Sequence, residues 1–242
     1  MNIFGKSDIG AVRSTNQDSF AVGKISDDIV WAVVCDGMGG ANGGNVASGE
    51  AVKIIKEKTE NLVRPESMSS EEISLFMVDA VKKANSRIYE MSQSDIELDG
   101  MGTTCDFVIV VNQRVHVAHV GDSRTYLIRN DRIIQITEDH SFVQEMVKQG
   151  QITQEEAERH PNKNIITRAV GVGDNVDVDY IETIYEKGDS ILTCTDGLSN
   201  MVSSGEILSV VLSNKIDEAV EILIERAVSE GGYDNITVTA IH

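Results

Sequence analysis

Short runs of β-branched and aromatic residues, broken by turn residues, dominate the chain. Asp18 to Ile25 alternates weakly between apolar and polar positions and reads as a strand. Asp28 to Cys35 (DIVWAVVC) is apolar almost throughout, the mark of a strand covered on both faces. Thr103 to Val111, Val115 to Val120 and Thr125 to Arg129 follow at hairpin spacing. Ile133 to Thr137 continues the meander after an Asn130-Asp131 turn. Val176 to Tyr185, Ser190 to Thr195 and Asn235 to Ile241 complete the strand set.

Helical spacing appears between these blocks, in pairs. Val46, Val52, Ile55 and Leu62 predict a helix over Asn45 to Leu62. A second starts after Ser69-Ser70-Glu71-Glu72, a good N-terminal signature, and carries Ile73, Met77, Ala80, Ala84 and Ile88. The other pair covers about Gly205 to Leu212 and Asp217 to Ser229. Strands joined to strands, with helices arriving in pairs, predict an α+β layering rather than a βαβ wind. Ser141 to Arg168 differs: polar, mostly helical in pattern, broken at Gly150 and Pro161. It reads as an insertion lying over the surface.

Length and charge narrow the class. The chain has 242 residues, which suits a single domain over 1–242. A formal charge of −18 argues against nucleic acid or an anionic membrane as partner. No stretch approaches 18 apolar residues, and the N-terminus lacks a signal-peptide pattern. Cys35, Cys105 and Cys194 each lie inside an apolar run and read as buried free thiols of a reducing compartment. The expectation is a soluble, cytoplasmic protein.

The chemistry lies at the strand ends. Asp36 follows the run ending at Cys35, Asp122 follows Val115 to Gly121, and Asp196 follows Ser190 to Thr195. Asp18 and Asp234 each open a strand. In antiparallel sheets the end of one strand lies beside the start of the next, so all five can meet on one rim. Converged carboxylates stay ionised only beside cations, and Asp oxygens suit hard ions such as Mg²⁺ or Mn²⁺. Taken singly, each Asp also fits an ordinary turn. Gly37, directly after Asp36, lets the backbone approach an ion closely and present its carbonyl. Arg13 stands five residues before Asp18. It reads either as a surface ion-pair partner or, with the carboxylates, as part of a phosphate-ester site.

Other chemistries fail on spacing. The glycine loop Asp36 to Gly44 is no dinucleotide fingerprint, since Asn42 takes the third glycine's place, and no Lys-Ser/Thr follows Gly44 to make a P-loop. The His and Cys residues have no zinc-ligand spacing. A cysteine phosphatase needs an Arg after five intervening residues; those positions hold Ala41, Val111 and Asn200.

The ordered motifs RSTNQD (Arg13 to Asp18), DGMGG (Asp36 to Gly40), GTT (Gly102 to Thr104), VGDSR (Val120 to Arg124), EDHS (Glu138 to Ser141), TDGL (Thr195 to Leu198) and GGYDNIT (Gly231 to Thr237) span nearly the whole chain. By these the chain resembles the metal-dependent Ser/Thr protein phosphatases of type 2C, the PPM family, in its bacterial form. The resemblance implies a four-layer αββα sandwich and hydrolysis of phosphoserine and phosphothreonine by a metal-activated water. It implies two catalytic Mn²⁺ or Mg²⁺ ions and a third. Asp36 would bridge the first two, the Gly37 carbonyl would bind one, and Asp196 and Asp234 would complete the other's shell. Asp18 would hold a metal-bound water, Asp122 with Asp196 would take the third ion, and Arg13 would hold the substrate phosphate. The segment at about 141–168 would be the family's flap beside the active site. Phosphorylated proteins, including a partner Ser/Thr kinase, are the implied substrates, and a monomer the implied state.

Three positions depart from common family residues. Met38 stands where many eukaryotic members have His and cannot donate a proton; Gln17 replaces Glu, and Thr195 replaces Ser. None removes a metal ligand. His140 is the tempting substitute acid, but its place at a strand-to-flap junction suits ordering of the local loop. A non-catalytic relative acting as a phosphoprotein-binding module would lack Asp36, Asp196 or Asp234, and all three are present.

Overall fold

The computed structural model describes the backbone of residues 1–242 and the side-chain surroundings of all but residues 40–42. Eleven strands and seven α-helices follow in chain order. β1 (Ile3–Asp8), β2 (Asp18–Ser26) and β3 (Ile29–Met38) lead into α1 (Gly40–Glu60) and α2 (Ser70–Ser94). Next come β4 (Gly102–Thr103), β5 (Cys105–Val111), β6 (Arg114–Val120), β7 (Arg124–Arg129) and β8 (Arg132–Gln135). Two short helices, α3 (Phe142–Lys148) and α4 (Gln154–Glu158), precede β9 (Asp179–Ile184) and β10 (Ser190–Cys194). The chain closes with α5 (Asp196–Ser199), α6 (Ser204–Ser213), α7 (Ile216–Ser229) and β11 (Ile236–Ile241).

One sheet runs β1-β11-β10-β7-β8; the other runs β2-β3-β5-β6-β9, with β4 paired to β3. The ladders are antiparallel. Alternation sorts each strand's side chains between two cores. On β3 and β5, Trp31, Val33, Phe107 and Ile109 face α1 and α2, and pack with Ile55, Met77 and Ile88. Val30, Val108 and Val110 face the opposite way and meet Leu127, Ile191 and Ile241 of the other sheet. That sheet's outer face packs under α6 and α7 through Leu192, Val238, Ile207 and Leu223. The result is the expected αββα stack, and it explains the unbroken apolar run of β3: both its faces are covered.

Local chemistry fixes the connections. Asn112-Gln113 and Asn130-Asp131 all adopt positive φ, the backbone needed for two-residue hairpins between twisted strands. Ser69 and Glu72 form a reciprocal capping box on α2, as the sequence signature predicts.

The structure corrects several boundaries. β1 escapes the hydrophobic pattern because Gly5, Lys6 and Ser7 interrupt it; its half-buried residues are held by register with β11, Ile3 opposite Ile241. α1 begins at Gly40, so helix takes up half of the glycine loop. β9 starts at Asp179 rather than Val176. The single turn α5 is too short for periodicity to reveal.

Candidate active site

The layer between the sheets changes character along its length. One end is the aliphatic core just described. The other holds the buried side chains of Asp106, His119, Thr125, Thr193, Thr195 and Thr237. Asp106 accepts from Thr125 Oγ1 at 2.6 Å and faces His119 Nδ1 at 2.6 Å, while His119 Nε2 reaches the Glu138 carbonyl at 2.9 Å. The carbonyl requires Nε2–H, and Nδ1 faces the Asp106 carboxyl. Burial opposes a charge on this ring, but Asp106, the Glu138 carbonyl and Asp139 together raise the His119 pKa.

The carboxylates stand above this polar floor. Register places Asp18 of β2 directly opposite Asp36 of β3. Asp18 is 8% exposed. Its Oδ2 accepts from Thr195 Oγ1 at 2.9 Å, just past the end of β10, and from Thr237 Oγ1 of β11 at 2.7 Å, so the opposite sheet aims it. Its Oδ1 is buried without a protein partner, as is Asp196 Oδ1. The backbone at Asp36 is fixed by the GTT motif. Its N–H donates to Thr104 Oγ1 at 2.9 Å, and its carbonyl accepts from Thr103 Oγ1 and the Thr104 N–H, both at 2.9 Å. Thr104 Oγ1 also shares a 2.8 Å hydrogen bond with Ser123 Oγ, which ties the Asp36 strand end to the turn carrying Asp122.

Two glycines permit the convergence. A Cβ at Gly37 would lie 2.0 Å from the Gly44 carbonyl oxygen and 2.5 Å from that of Gln17. A Cβ at Gly197 would lie 2.0 Å from the Asn235 carbonyl oxygen. The turn bearing Asp196 can therefore press against the start of β11 beside Asp234. Asn235, 4% exposed, locks the next layer. It accepts from the Gln17 N–H at 2.8 Å and donates to the Ile9 and Thr15 carbonyls at 2.9 and 3.0 Å, so it pins the loop that carries Arg13.

Burial and mutual repulsion push these acids up together. Asp18 rises to about 7 through burial, partly offset by its two threonine hydroxyls and reinforced by Asp196 and Asp234. Asp36 is held well above the usual carboxylate range by burial and then by Asp18, Asp196, Asp122 and Asp234. Asp122 rises to about 7 through burial and then Asp196. Asp196 rises to about 6 through burial and then Asp234, while Lys163, Arg124 and Arg13 pull it down. Carboxylates so placed cannot all ionise without added positive charge. Among the described residues no group of three or more His, Cys, Asp or Glu side chains is gathered closely enough to hold a metal ion. Any ion at this rim would take much of its shell from water, as Mg²⁺ does beside one or two carboxylates. Hard oxygen donors, with Asp18 Oδ1 and Asp196 Oδ1 lacking partners, fit Mn²⁺ or Mg²⁺.

Arg13 makes the ion pair that is one of its two readings. It is half-exposed at the rim, and its Nη2 donates to Asp234 Oδ2 at 2.7 Å. A cleft of about 880 Å³ opens beside Asp122 and Asp196, walled in part by Arg124, Lys163 and Asn200. His140 is not aimed at the carboxylates: its ring contacts Gly121, Asp179 and His119, the loop-ordering role. Sequence reasoning missed Asn235, Thr237, Thr104 and Ser123 as individual actors, although all four lie inside quoted motifs. It missed Asp106 and His119 altogether, because they sit within strand runs.

The family model for protein phosphatase 2C matches residues 5–230. The serine/threonine phosphatase stp of Listeria innocua is 38% identical over 237 residues, 98% of this chain and 93% of that protein. The solved structure of the serine/threonine phosphatase of S. agalactiae superposes with a TM-score of 0.91 at 38% identity, covering 99% of this chain and 98% of that one. The catalytic domain of PstP, solved in complex with two manganese ions, superposes with a TM-score of 0.86 at 33% identity, covering 99% and 96%. The chain belongs to the protein phosphatase 2C family of serine/threonine phosphatases.

Proposed function

We propose that this rim hydrolyses phosphoserine and phosphothreonine in proteins with the help of two divalent ions, Mn²⁺ or Mg²⁺, and a third. The observation that carries the reading is a set of four crowded Asp residues with raised pKa values, Asp18 buried and Asp36, Asp122 and Asp196 half-buried, two of the four with an orphaned oxygen. The ligands we assign are Asp36, the Gly37 carbonyl, Asp196 and Asp234, with Asp122 and Asp196 for the third ion. Such ions, when bound, supply a nucleophilic water at neutral pH and charge stabilisation for the phosphoryl group.

The chain's own residues do the rest. Asp18, anchored through Oδ2, presents its free Oδ1 to orient that water. Arg13 holds the substrate phosphate with charge-assisted hydrogen bonds. Neither Met38, which has no proton to give, nor His140, turned to Gly121 and Asp179, serves as the acid for the leaving hydroxyl. The segment 141–168 serves as a flap over the cleft beside Asp122 and Asp196 within a single catalytic domain, which we take to be a monomer.

Phosphoproteins are the substrates, a Ser/Thr kinase of the same cell among them. No helix among the described residues is long and apolar enough to cross a membrane. Three buried free cysteines support a reducing, cytoplasmic setting. Phosphate release from a phosphothreonine peptide tests the reading: it should stop with EDTA and return with excess Mn²⁺. Turnover that persists in EDTA would exclude it.

A further inference from the structure

His140 touches three parts of the molecule that are distant in sequence. Its ring Nδ1 accepts from the Gly121 N–H at 3.0 Å, and its own N–H donates to the Gly121 carbonyl at 2.7 Å. Both polar groups of Gly121, the residue before Asp122, are thus committed to His140. Gly121 has no room to adjust: φ is +115°, and an added Cβ would lie 2.6 Å from the Thr104 side chain. The His140 carbonyl accepts from the Thr167 N–H at 2.8 Å, so the two ends of segment 141–168 close on this residue. A bridge between Ser141 and Ile166 and a 2.8 Å bond from the Phe142 N–H to the Ile165 carbonyl extend the closure.

The ring's tautomer follows from geometry. Because Nδ1 accepts an amide proton, Nε2 carries the ring hydrogen and donates to Asp179 Oδ2 at 3.2 Å. Asp179 is shared with Arg168, the last residue of the segment, whose Nη1 donates to Oδ1 at 2.6 Å. The other face of the ring lies against His119, with centroids 4.6 Å apart. His119 in turn is fixed by Asp106 and the Glu138 carbonyl. The ring is thus held by Gly121, Asp179 and His119, and Gly121 directly precedes Asp122.

We propose that His140 is a positioning residue that makes the closure of segment 141–168 and the aim of Asp122 a single structural event. Loss of its Nδ1 acceptor frees the Gly121 amide, releases the Asp122 turn and loosens the segment's base together. The consequence for ion binding rests on Asp122 serving a third ion; the consequence for the backbone does not.

The test uses the full chain with three substitutions. Asn places an oxygen near the position of Nδ1, Gln reaches toward that of Nε2, and Leu supplies neither. His140→Leu and His140→Gln should speed amide exchange at Gly121 and across 141–168, with or without Mn²⁺. They should lower kcat on a phosphothreonine peptide by roughly 10–100-fold, the usual cost of losing a group that orients a ligand. His140→Asn should restore most of both. Asp179→Asn, which removes the carboxylate charge shared by Nε2 and Arg168 but leaves Nδ1 untouched, should leave the Gly121 amide protected, and it tests the idea even if His140→Leu does not fold. Equal damage from Asn and Gln, or exchange that rises in the segment but not at Gly121, would overturn the proposal. Mn²⁺ calorimetry separates the two readings. Only two sites in the wild type would remove the third ion, while the exchange pattern would still decide the role of His140.

Discussion

Arg13 Nη2 and Asp234 Oδ2 are 2.7 Å apart, across 221 residues of sequence. The side chain assigned to the substrate phosphate and a carboxylate assigned to an ion therefore neutralise one another at the mouth of the site. Both are partly exposed, so their mutual attraction alone contributes little stability. Its importance lies in function: substituting either residue alters both.

Arg13→Ala should accordingly produce two opposite effects. KM for a phosphothreonine peptide should rise roughly 10–100-fold, the worth of about 1.5–3 kcal/mol for a hydrogen bond to a charged group. The Mn²⁺ concentration needed for half-maximal activity should fall, because a positive charge beside Asp234 has gone. Steady-state kinetics at varied peptide and Mn²⁺ check both; an unchanged KM would remove Arg13 from phosphate binding.

The raised carboxylates predict how stability follows pH. A carboxyl whose pKa is higher folded than unfolded contributes stability at low pH that is lost as pH rises through the folded value. Asp18 and Asp122, raised from 3.8 to about 7, and Asp196, raised to about 6, set that window between about 4 and 7. In EDTA the melting temperature should fall as pH rises across it. With saturating Mn²⁺ the trend should flatten or reverse, since ions bind the deprotonated form. Taking the difference between the two conditions removes most of the histidine contribution. Parallel curves with and without Mn²⁺ would contradict the electrostatic account.

Gly197 offers a purely steric test. Its missing side chain lets the Asp196 turn press on the Asn235 carbonyl. Gly197→Ala should destabilise by about 1–3 kcal/mol, as forced overpacking does, and should also weaken Mn²⁺ binding by moving Asp196 from Asp234. Gly205→Ala, where an added methyl meets nothing within 4 Å, is the control and should melt close to the wild type. Similar melting and Mn²⁺ affinity in both variants would show that the close approach is not needed.

What could be read from the chain followed from short-range rules. Alternation exposed the two-faced burial of β3, and strand-end Asp residues implied a shared rim, because antiparallel neighbours exchange ends. The contacts that finish the site obey no such rule. Asn235 holds the amide of Gln17, and Thr237 holds Asp18, each across more than 200 residues and from the opposite sheet. Asp106 and His119 occupy positions that alternation marks only as inward-facing. Nothing local distinguishes a buried ion pair there from a misplaced polar residue. β1 and the start of α1 were lost for the opposite reason: their residues are weak formers, and tertiary packing decides them.

If the carboxylate rim catalyses only by holding divalent ions, Asp36→Asn must cost most of the turnover. The change preserves shape while it removes one charge from the acid that four others crowd. Turnover of a phosphothreonine peptide at saturating Mn²⁺ should fall by roughly 100–1,000-fold, as expected when several kcal/mol of metal-supplied stabilisation is lost. The melting temperature in EDTA should hold or rise, because Asn replaces an acid that must take up a proton when the crowded site folds without ions. A variant that folds and still turns over at the wild-type rate would contradict the account.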